Sequence, residues 1–276
     1  MSAQPRTATA RRWPDPPPPV PALPDADPPD QAAGGRPAGV SGDRALAFLT
    51  RGELEVLGRF PWASNATLLA RVQHGDLEGL AIYKPRRGER PLWDFPNGTL
   101  YRREVAAYRV SAALGWDLVP PTVARDGPFG VGSVQLYVEA DPELTAFELV
   151  ETGNPVMPLI AAFDVVVNNA DRKAGHCLAR PDDTRVWAID HGVCFHVEPK
   201  LRTVLWDFAG QPLEPRVVTQ LELLARAADH APLARELAEL LAPEEITALA
   251  HRAAALARAG CLPLPSGRRP YPWPLV

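Results

Sequence analysis

Asn168-Asn169-Ala170-Asp171-Arg172-Lys173-Ala174-Gly175-His176 and Ile189-Asp190-His191-Gly192 are the two stretches on which the fold turns. Each places an acidic residue in a loop-forming context, and either alone is ordinary: Asp-His-Gly is a common turn tripeptide, and Asn-Asn-Ala-Asp reads as a helix C-cap and loop. The segment between them adds the geometry. Cys177-Leu178-Ala179-Arg180 predicts a short strand, Pro181-Asp182-Asp183-Thr184 a turn, and Arg185-Val186-Trp187-Ala188-Ile189 the return strand, with apolar Val186 alternating with Arg185 and Trp187. A hairpin returns the chain to its starting level, so Asp171 and Asp190 are expected at one cleft. Phosphoryl transfer needs such a pair, one Asp orienting or deprotonating the attacking hydroxyl and the other holding a metal ion on nucleotide phosphates.

Upstream, Met157–Val167 is apolar on nearly every face and predicts a buried helix delivering the chain to Asn168. Asp171 is then set at the end of a rigid element, as chemistry dominated by positioning requires. Downstream, an irregular stretch through Leu201–Trp206 leads to amphipathic helices expected at 216–227, 231–241 and 243–259, read as core helices without a ligand site.

The preceding half reads as a small β-rich unit. Leu54–Gly58, Ala66–Val72 and Gly79–Lys84 are short apolar runs bounded by turn residues, expected as three successive antiparallel strands. The loop Phe60-Pro61-Trp62-Ala63-Ser64-Asn65 stands between the first two, where Ser64, Asn65 and backbone amides can cover phosphates; it lacks glycine-rich spacing, so an ordinary hairpin loop is the competing expectation. Lys84 closes the third strand. Leu100–Leu114 then predicts a helix, with Tyr101, Val105, Tyr108 and Ala112 on one stripe and Gly115 as its stop. Glu104 lies beside that stripe and is expected to hold the Lys84 ammonium, the alternative being surface pairs with Arg103 or Arg109. Residues 86–98 are too rich in Pro and Gly for a regular element, and Trp93 and Phe95 are expected to anchor that loop. Thr122–Arg125, a turn at Asp126-Gly127-Pro128 and Val131–Glu139 complete the sheet, with Gln135–Glu139 as the exit.

At 276 residues the chain accommodates two lobes with sizeable cores. A formal net charge of -4 and a pI near 5.9 give no global electrostatic case for nucleic acid or for adsorption to an anionic membrane. No apolar run reaches membrane-spanning length, and stable membrane insertion is not expected. The three cysteines, Cys177, Cys194 and Cys261, lack zinc-site spacing and read as free thiols of a reducing, cytoplasmic setting. Residues 1–42, with Pro16-Pro17-Pro18-Pro19, cannot assemble a packed core and are expected to be a disordered leader; docking of a proline-gripping partner is the alternative use.

Through Asn169-Ala170-Asp171-Arg172, Ile189-Asp190-His191-Gly192 and the Lys84 and Glu104 pair, the chain resembles the phosphatidylinositol 3/4-kinase-like branch of the kinase superfamily, together with HipA-type toxin kinases and an actinobacterial set. The likeness spans roughly Leu54 to Trp206. It implies an α+β, bilobal protein-kinase-like fold, with a small antiparallel β lobe carrying one helix (43–139) over a mainly helical lobe (140–276). It also implies an ATP- and Mg²⁺- or Mn²⁺-dependent phosphotransferase with an open acceptor: protein, lipid or small molecule. Position by position, Asp171 with Arg172 takes the catalytic place and Asp190 the principal metal place. Lys84, Glu104, Ser64 and Asn65 face the nucleotide, and Leu136 and Val138 belong to the hinge against which adenine lies. His176 stands where the family has a metal-binding Asn, and Lys173 where it has a His. A neutral imidazole is a poorer ligand for a hard cation than an amide oxygen, so either the second metal site is weakened or another oxygen fills it, Asn168 and Asn169 being the nearest by sequence. Two alternatives stay open: nucleotidyl (AMP) transfer from the same cleft, which no sequence feature excludes, and a nucleotide-binding or nucleotide-free pseudokinase acting as an interaction module, for which the altered Lys173 and His176 and the proline-rich leader speak.

Overall fold

The structure is a computed structural model that describes residues 23–24, 42–60, 65–181, 183–230, 232–267 and 269–276. The proline-rich leader, apart from Leu23, Pro24 and Gly42, and the loop residues 61–64 lie outside them. Leu23 packs on the small-lobe core and the Pro24 carbonyl accepts from Arg59 N at 2.9 Å.

After helix α1 (Gly42–Arg51), strands β1 (Glu53–Arg59), β2 (Leu68–His74) and β3 (Leu77–Pro85) run as an antiparallel meander. Gly75, at φ 61°, supplies the left-handed residue in the tight β2–β3 turn. Helix α2 (Leu100–Leu114) follows, then β4 (Thr122–Gly127) and β5 (Gly130–Leu136), completing a five-stranded sheet of order β1-β2-β3-β5-β4. Gly115 ends α2 in the left-handed region, as the sequence pattern expects, with Trp116 N donating back to Ser111 O. Helices α3 (Ala146–Glu151) and α4 (Met157–Val167) lead to the first acidic loop, the hairpin β6 (Cys177–Ala179) and β7 (Val186–Ala188) leads to the second, and α5 (Pro215–His230), α6 (Pro232–Ala238) and α7 (Pro243–Ala259) close the large lobe. Among the described residues no helix is long and apolar enough to cross a membrane.

Two elements were not expected from the sequence. Helix α3 is started by a capping box, Thr145 with Glu148, whose Thr-x-x-Glu signature is present in the chain. Helix α1 buries Ala45, Phe48 and Leu49 under the sheet. One expectation is corrected: Trp93 is 92 % exposed and anchors nothing in the core, and only Phe95 is buried. Trp93 instead offers its face to the Lys200 ammonium at 5.1 Å.

The fold has two cores. One fills the small lobe with Phe48, Leu49, Leu68, Val72, Tyr83 and Val134. The other runs through α4, α5 and α7 and also takes Ala106, Ala107, Val110 and Leu114 of α2. Helix α2 is therefore shared, and its buried Arg103 adds a polar tie: it donates to Glu245 Oε1 of α7 at 2.6 Å and to Cys194 O at 2.7 Å. Removing one partner of a buried pair leaves the other charge uncompensated. Glu245→Ala, which also removes the cap donated to by Ala242 N, should lower unfolding stability by about 3–5 kcal/mol, read as a reduced urea midpoint.

Candidate active site

Strand β3, helix α2 and the second acidic loop meet at Lys84. Its ammonium lies 2.5 Å from Glu104 Oε1 and 2.8 Å from Asp190 Oδ1, with little solvent exposure. Glu104 reaches further, its Oε2 accepting from His191 N at 2.9 Å, so one carboxylate fixes both the lysine and the backbone beside Asp190. The surface alternatives are not formed: Arg103 pairs with Glu245 and Arg109 with Glu236. Burial would lower the Lys84 pKa, but Asp190 and then Glu104 hold it well above the ordinary lysine value. Desolvation likewise pushes the Asp190 carboxyl up, and Lys84, followed by His176, overrides it and keeps the group ionised. Asp190 sits at φ 60°, a left-handed conformation that Asp tolerates better than most residues.

Asp171, Lys173 and His176 line the same cavity as Lys84, Glu104 and Asp190, a space of about 330 Å³ also bounded by Asn65, Glu89 and Arg90. Desolvation, with Asp190 adding to it, raises the Asp171 pKa to about 6 against the opposing charges of Lys173 and Arg202. Lys173 Nζ stands 3.7 Å from Asp171 Oδ2. His176 is lowered by burial to about 4, so its ring is neutral at pH 7. Lys173 N donates to its Nδ1, which leaves the hydrogen on Nε2, 3.3 Å from Asp190 Oδ2. Both oxygens of Asp190 thus face a donor, Lys84 on one side and His176 on the other. Among the described residues, no group of three or more His, Cys, Asp or Glu is arranged to hold a metal ion. A cation here would draw on the Asp190 and Glu104 carboxylates, with remaining oxygens from a bound phosphate.

Arg172 does not face the cavity. It is entirely buried behind the loop, and all five of its N–H donors are used: Nε and Nη2 toward Asp164 at 3.0–3.1 Å, Nη1 toward His176 O at 3.2 Å and Ile189 O at 2.8 Å, and Nη2 toward His191 Nε2 at 2.7 Å. The accepting Nε2 puts the His191 hydrogen on Nδ1, which is buried without a hydrogen-bond partner among the described residues, and the His191 and Phe163 rings meet in a T-shaped contact, their centroids 5.5 Å apart. Asn168, left-handed at φ 53°, caps α4 and donates to His196 O and Glu198 O. Asn169 donates to Asp164 Oδ1 at 3.0 Å and accepts from Asp171 N at 2.9 Å. Neither Asn has an amide oxygen aimed at the cavity, which removes both as the substitute ligand suggested by sequence.

Ser64 lies outside the described residues. Asn65 is at the cavity rim, with its Oδ1 accepting from Arg90 N at 2.8 Å. Leu136 and Val138 border a second space of about 270 Å³ beside Tyr137, Leu178 and Trp187. Sequence reasoning passed over Glu89, which accepts from Leu100 N and Tyr101 N and so caps α2 within the cavity wall, and Asp164, the one charge in an otherwise apolar helix. An acidic residue inside such a helix was the available signal for a buried partner.

Arg172→Met should cost about 3–5 kcal/mol, because Asp164 is left buried and unpaired, whereas Arg172→Met with Asp164→Leu should recover much of that loss. Chemical denaturation of the two variants checks this; equal loss in both would mean that the pair does not carry the coupling.

No family profile matches the chain. Among solved structures it is similar to hydra Fam20 with sugar, with a TM-score of 0.52 at 13% identity, covering 81% of this chain and 89% of that one, a likeness that shows the bilobal kinase-like fold. The Golgi casein kinase with Mn/ADP bound aligns with a TM-score of 0.49 at 15% identity over 79% of this chain and 74% of that one. Protein Rv2133c of Mycobacterium tuberculosis (strain ATCC 25618 / H37Rv) is 43% identical over 267 residues, covering 84% of this chain and 95% of the relative. At that identity and coverage, the chain belongs to the family of Protein Rv2133c.

Proposed function

We propose that this protein is a kinase that transfers the γ-phosphoryl group of ATP to a hydroxyl acceptor. The observation that carries the proposal is the convergence of Lys84, Glu104 and Asp190 within ion-pair reach while Asp171 lines the same cavity. Such a site does little covalent chemistry of its own; it positions reactants and stabilises charge. Lys84 has three N–H donors, of which the two carboxylates use two, leaving one for a phosphate oxygen. Asp190 would hold Mg²⁺ or Mn²⁺, a cation that neutralises charge on the phosphates when bound. Asp171 accepts the acceptor's proton, a task to which a carboxylate titrating near neutrality is suited. The cavity beside Tyr137, with Leu136 and Val138 at its edge, supports a place for the base. The phosphatidylinositol 3/4-kinase-like type is the finer assignment we favour, on the order of the two acidic loops and the hairpin, and free thiols support a cytoplasmic setting.

A second possibility has its own support: with Lys84 and His176 both facing Asp190, the carboxylate is already occupied, as in a nucleotide-binding module without transfer. Incubation with γ-labelled or α-labelled ATP and Mg²⁺ or Mn²⁺ separates the cases. Label on an acceptor from γ alone supports the kinase, from α alone indicates nucleotidyl transfer, and from neither, with ATP bound, supports the module.

Asp171→Ala should bind ATP almost normally yet turn over about 10²–10⁴-fold more slowly, since a base acts mainly in the transition state; undiminished transfer refutes the role. The base works ionised and its pKa is about 6, so turnover should fall roughly tenfold per unit as pH drops below about 6 and level off above it. Asp190→Asn should abolish metal-dependent ATP binding while unfolding stays cooperative, with unchanged affinity in calorimetry counting against the metal assignment.

A further inference from the structure

Between β3 and α2 the chain runs along one wall of the cavity as residues 90–94. Its two ends are tied to α2: Glu89 accepts from Leu100 N at 3.1 Å and Tyr101 N at 2.8 Å, and Phe95 is buried with the Arg103 guanidinium 4.9 Å from its ring centroid. Within this strap, Arg90 and Leu92 line the cavity that holds Asp171, Lys173 and Asp190. Pro91 and Trp93 are exposed, so neither anchors the strap in a core.

Polar contacts on two sides hold it instead. On one side Arg90 N donates to Asn65 Oδ1 at 2.8 Å and Ala66 N to Gly88 O at 3.1 Å, which joins the strap to the end of the loop between β1 and β2. On the other, Asp94 Oδ2 lies 2.9 Å from Lys200 Nζ, in an ion pair whose side chains are only 17 % and 12 % exposed, and the Trp93 ring covers the ammonium at 5.1 Å. Glu198 is exposed and stands 3.9 Å from the same ammonium, which leaves Asp94 as its close partner. Lys200 is itself rooted in the large lobe. Its N donates to Asn168 Oδ1 at 2.9 Å, Asn168 Nδ2 donates to His196 O and Glu198 O, and Arg252 of α7 donates to His196 O at 3.2 Å. Asn168 directly precedes Asn169, which accepts from Asp171 N. A run of contacts thus leads from the first acidic loop through Lys200 and Asp94 to Arg90 and Asn65 without passing through Lys84.

We propose that Asp94 and Lys200 are positioning residues for phosphoryl transfer: their ion pair holds the strap against the large lobe and so sets the wall formed by Asn65, Arg90 and Leu92 relative to Asp171 and Asp190. The proposal rests on the phosphotransferase function above. Neither residue lines the cavity; each acts through the wall it fixes. Reacting groups have to be held close and aligned, and a displacement of about 1 Å costs on the order of 10²-fold in rate, so loss of the pair falls on turnover. ATP affinity is spared, because it depends on Lys84 and on the cation at Asp190, and those two groups pair with each other and not with the strap.

The test measures turnover of γ-labelled ATP with Mg²⁺, counted as all label leaving the nucleotide, in Asp94→Asn, Lys200→Gln and the double variant of the full chain. Each single change should lower kcat about tenfold or more while calorimetric MgATP affinity stays within about threefold of the native chain. The double variant should lose no more than the larger single loss, as for two groups that act as one unit. Amide exchange at Arg90 and Ala66 should quicken while that of α4 is unchanged, a local effect that a general loss of stability does not give. Lys200→Arg keeps the charge and should retain turnover. Should Lys200→Gln fail to fold, Asp94→Asn is read against Asp94→Glu, and equal turnover in those two overturns the role. Undiminished turnover in the single variants, or losses that multiply in the double, overturns the positioning role and leaves the kinase function standing; a native chain that neither binds nor turns over ATP overturns both.

Discussion

A single buried guanidinium holds the site in register. Arg172 is inaccessible to water and spends every donor within the loops and the helix that must converge: the Asp164 carboxylate on α4, the carbonyls of His176 and Ile189, and the ring of His191. An ion pair in the interior is weak support for stability in itself, since desolvation offsets much of its attraction. Its value here is geometric. The fork of Arg has a fixed shape, so satisfying it at five points fixes where the first loop leaves α4 and where the β6–β7 hairpin hands the chain to Asp190.

The cleft side depends on that frame. With the Ile189 carbonyl and the His191 ring held from below, Asp190 can hold a left-handed conformation that delivers its carboxylate upward to Lys84. Glu104 closes the arrangement from α2, taking both the lysine and His191 N. Because α2 packs into the large-lobe core and Arg103 ties it to α7, the position of Glu104 is set by the large lobe even though Lys84 belongs to the small one. The two lobes are thereby coupled through one helix.

The electrostatic pattern separates roles. Asp171 and Asp190 share a cavity but diverge in proton affinity, the first raised by desolvation toward neutrality and the second held down by a lysine. Two acids pushed apart in this way can act as base and as permanent anion at the same pH. His176, kept neutral by burial, contributes a hydrogen bond rather than a charge.

Local pattern sufficed for much of this. The α2 and α4 helices, the meander, the hairpin and the meeting of Lys84, Glu104, Asp171 and Asp190 follow from periodicity, from Gly115 and the turn residues, and from a hairpin's obligation to return the chain. The inner half of the site was hidden because most of its partners are distant in sequence and meet only through packing: Arg172 with His191, Arg103 with Glu245, Thr203 with Pro270 and Ala174 with Leu275. Trp93 and the two asparagines were misjudged for a related reason, since residue type sets what a side chain can do but not which way it faces. Sequence by itself determined which chemistry-bearing groups this protein has and roughly which loops carry them; only the tertiary structure decided which face the cavity and which stand behind it, because that choice depends on which distant backbone groups and charges burial leaves to be satisfied.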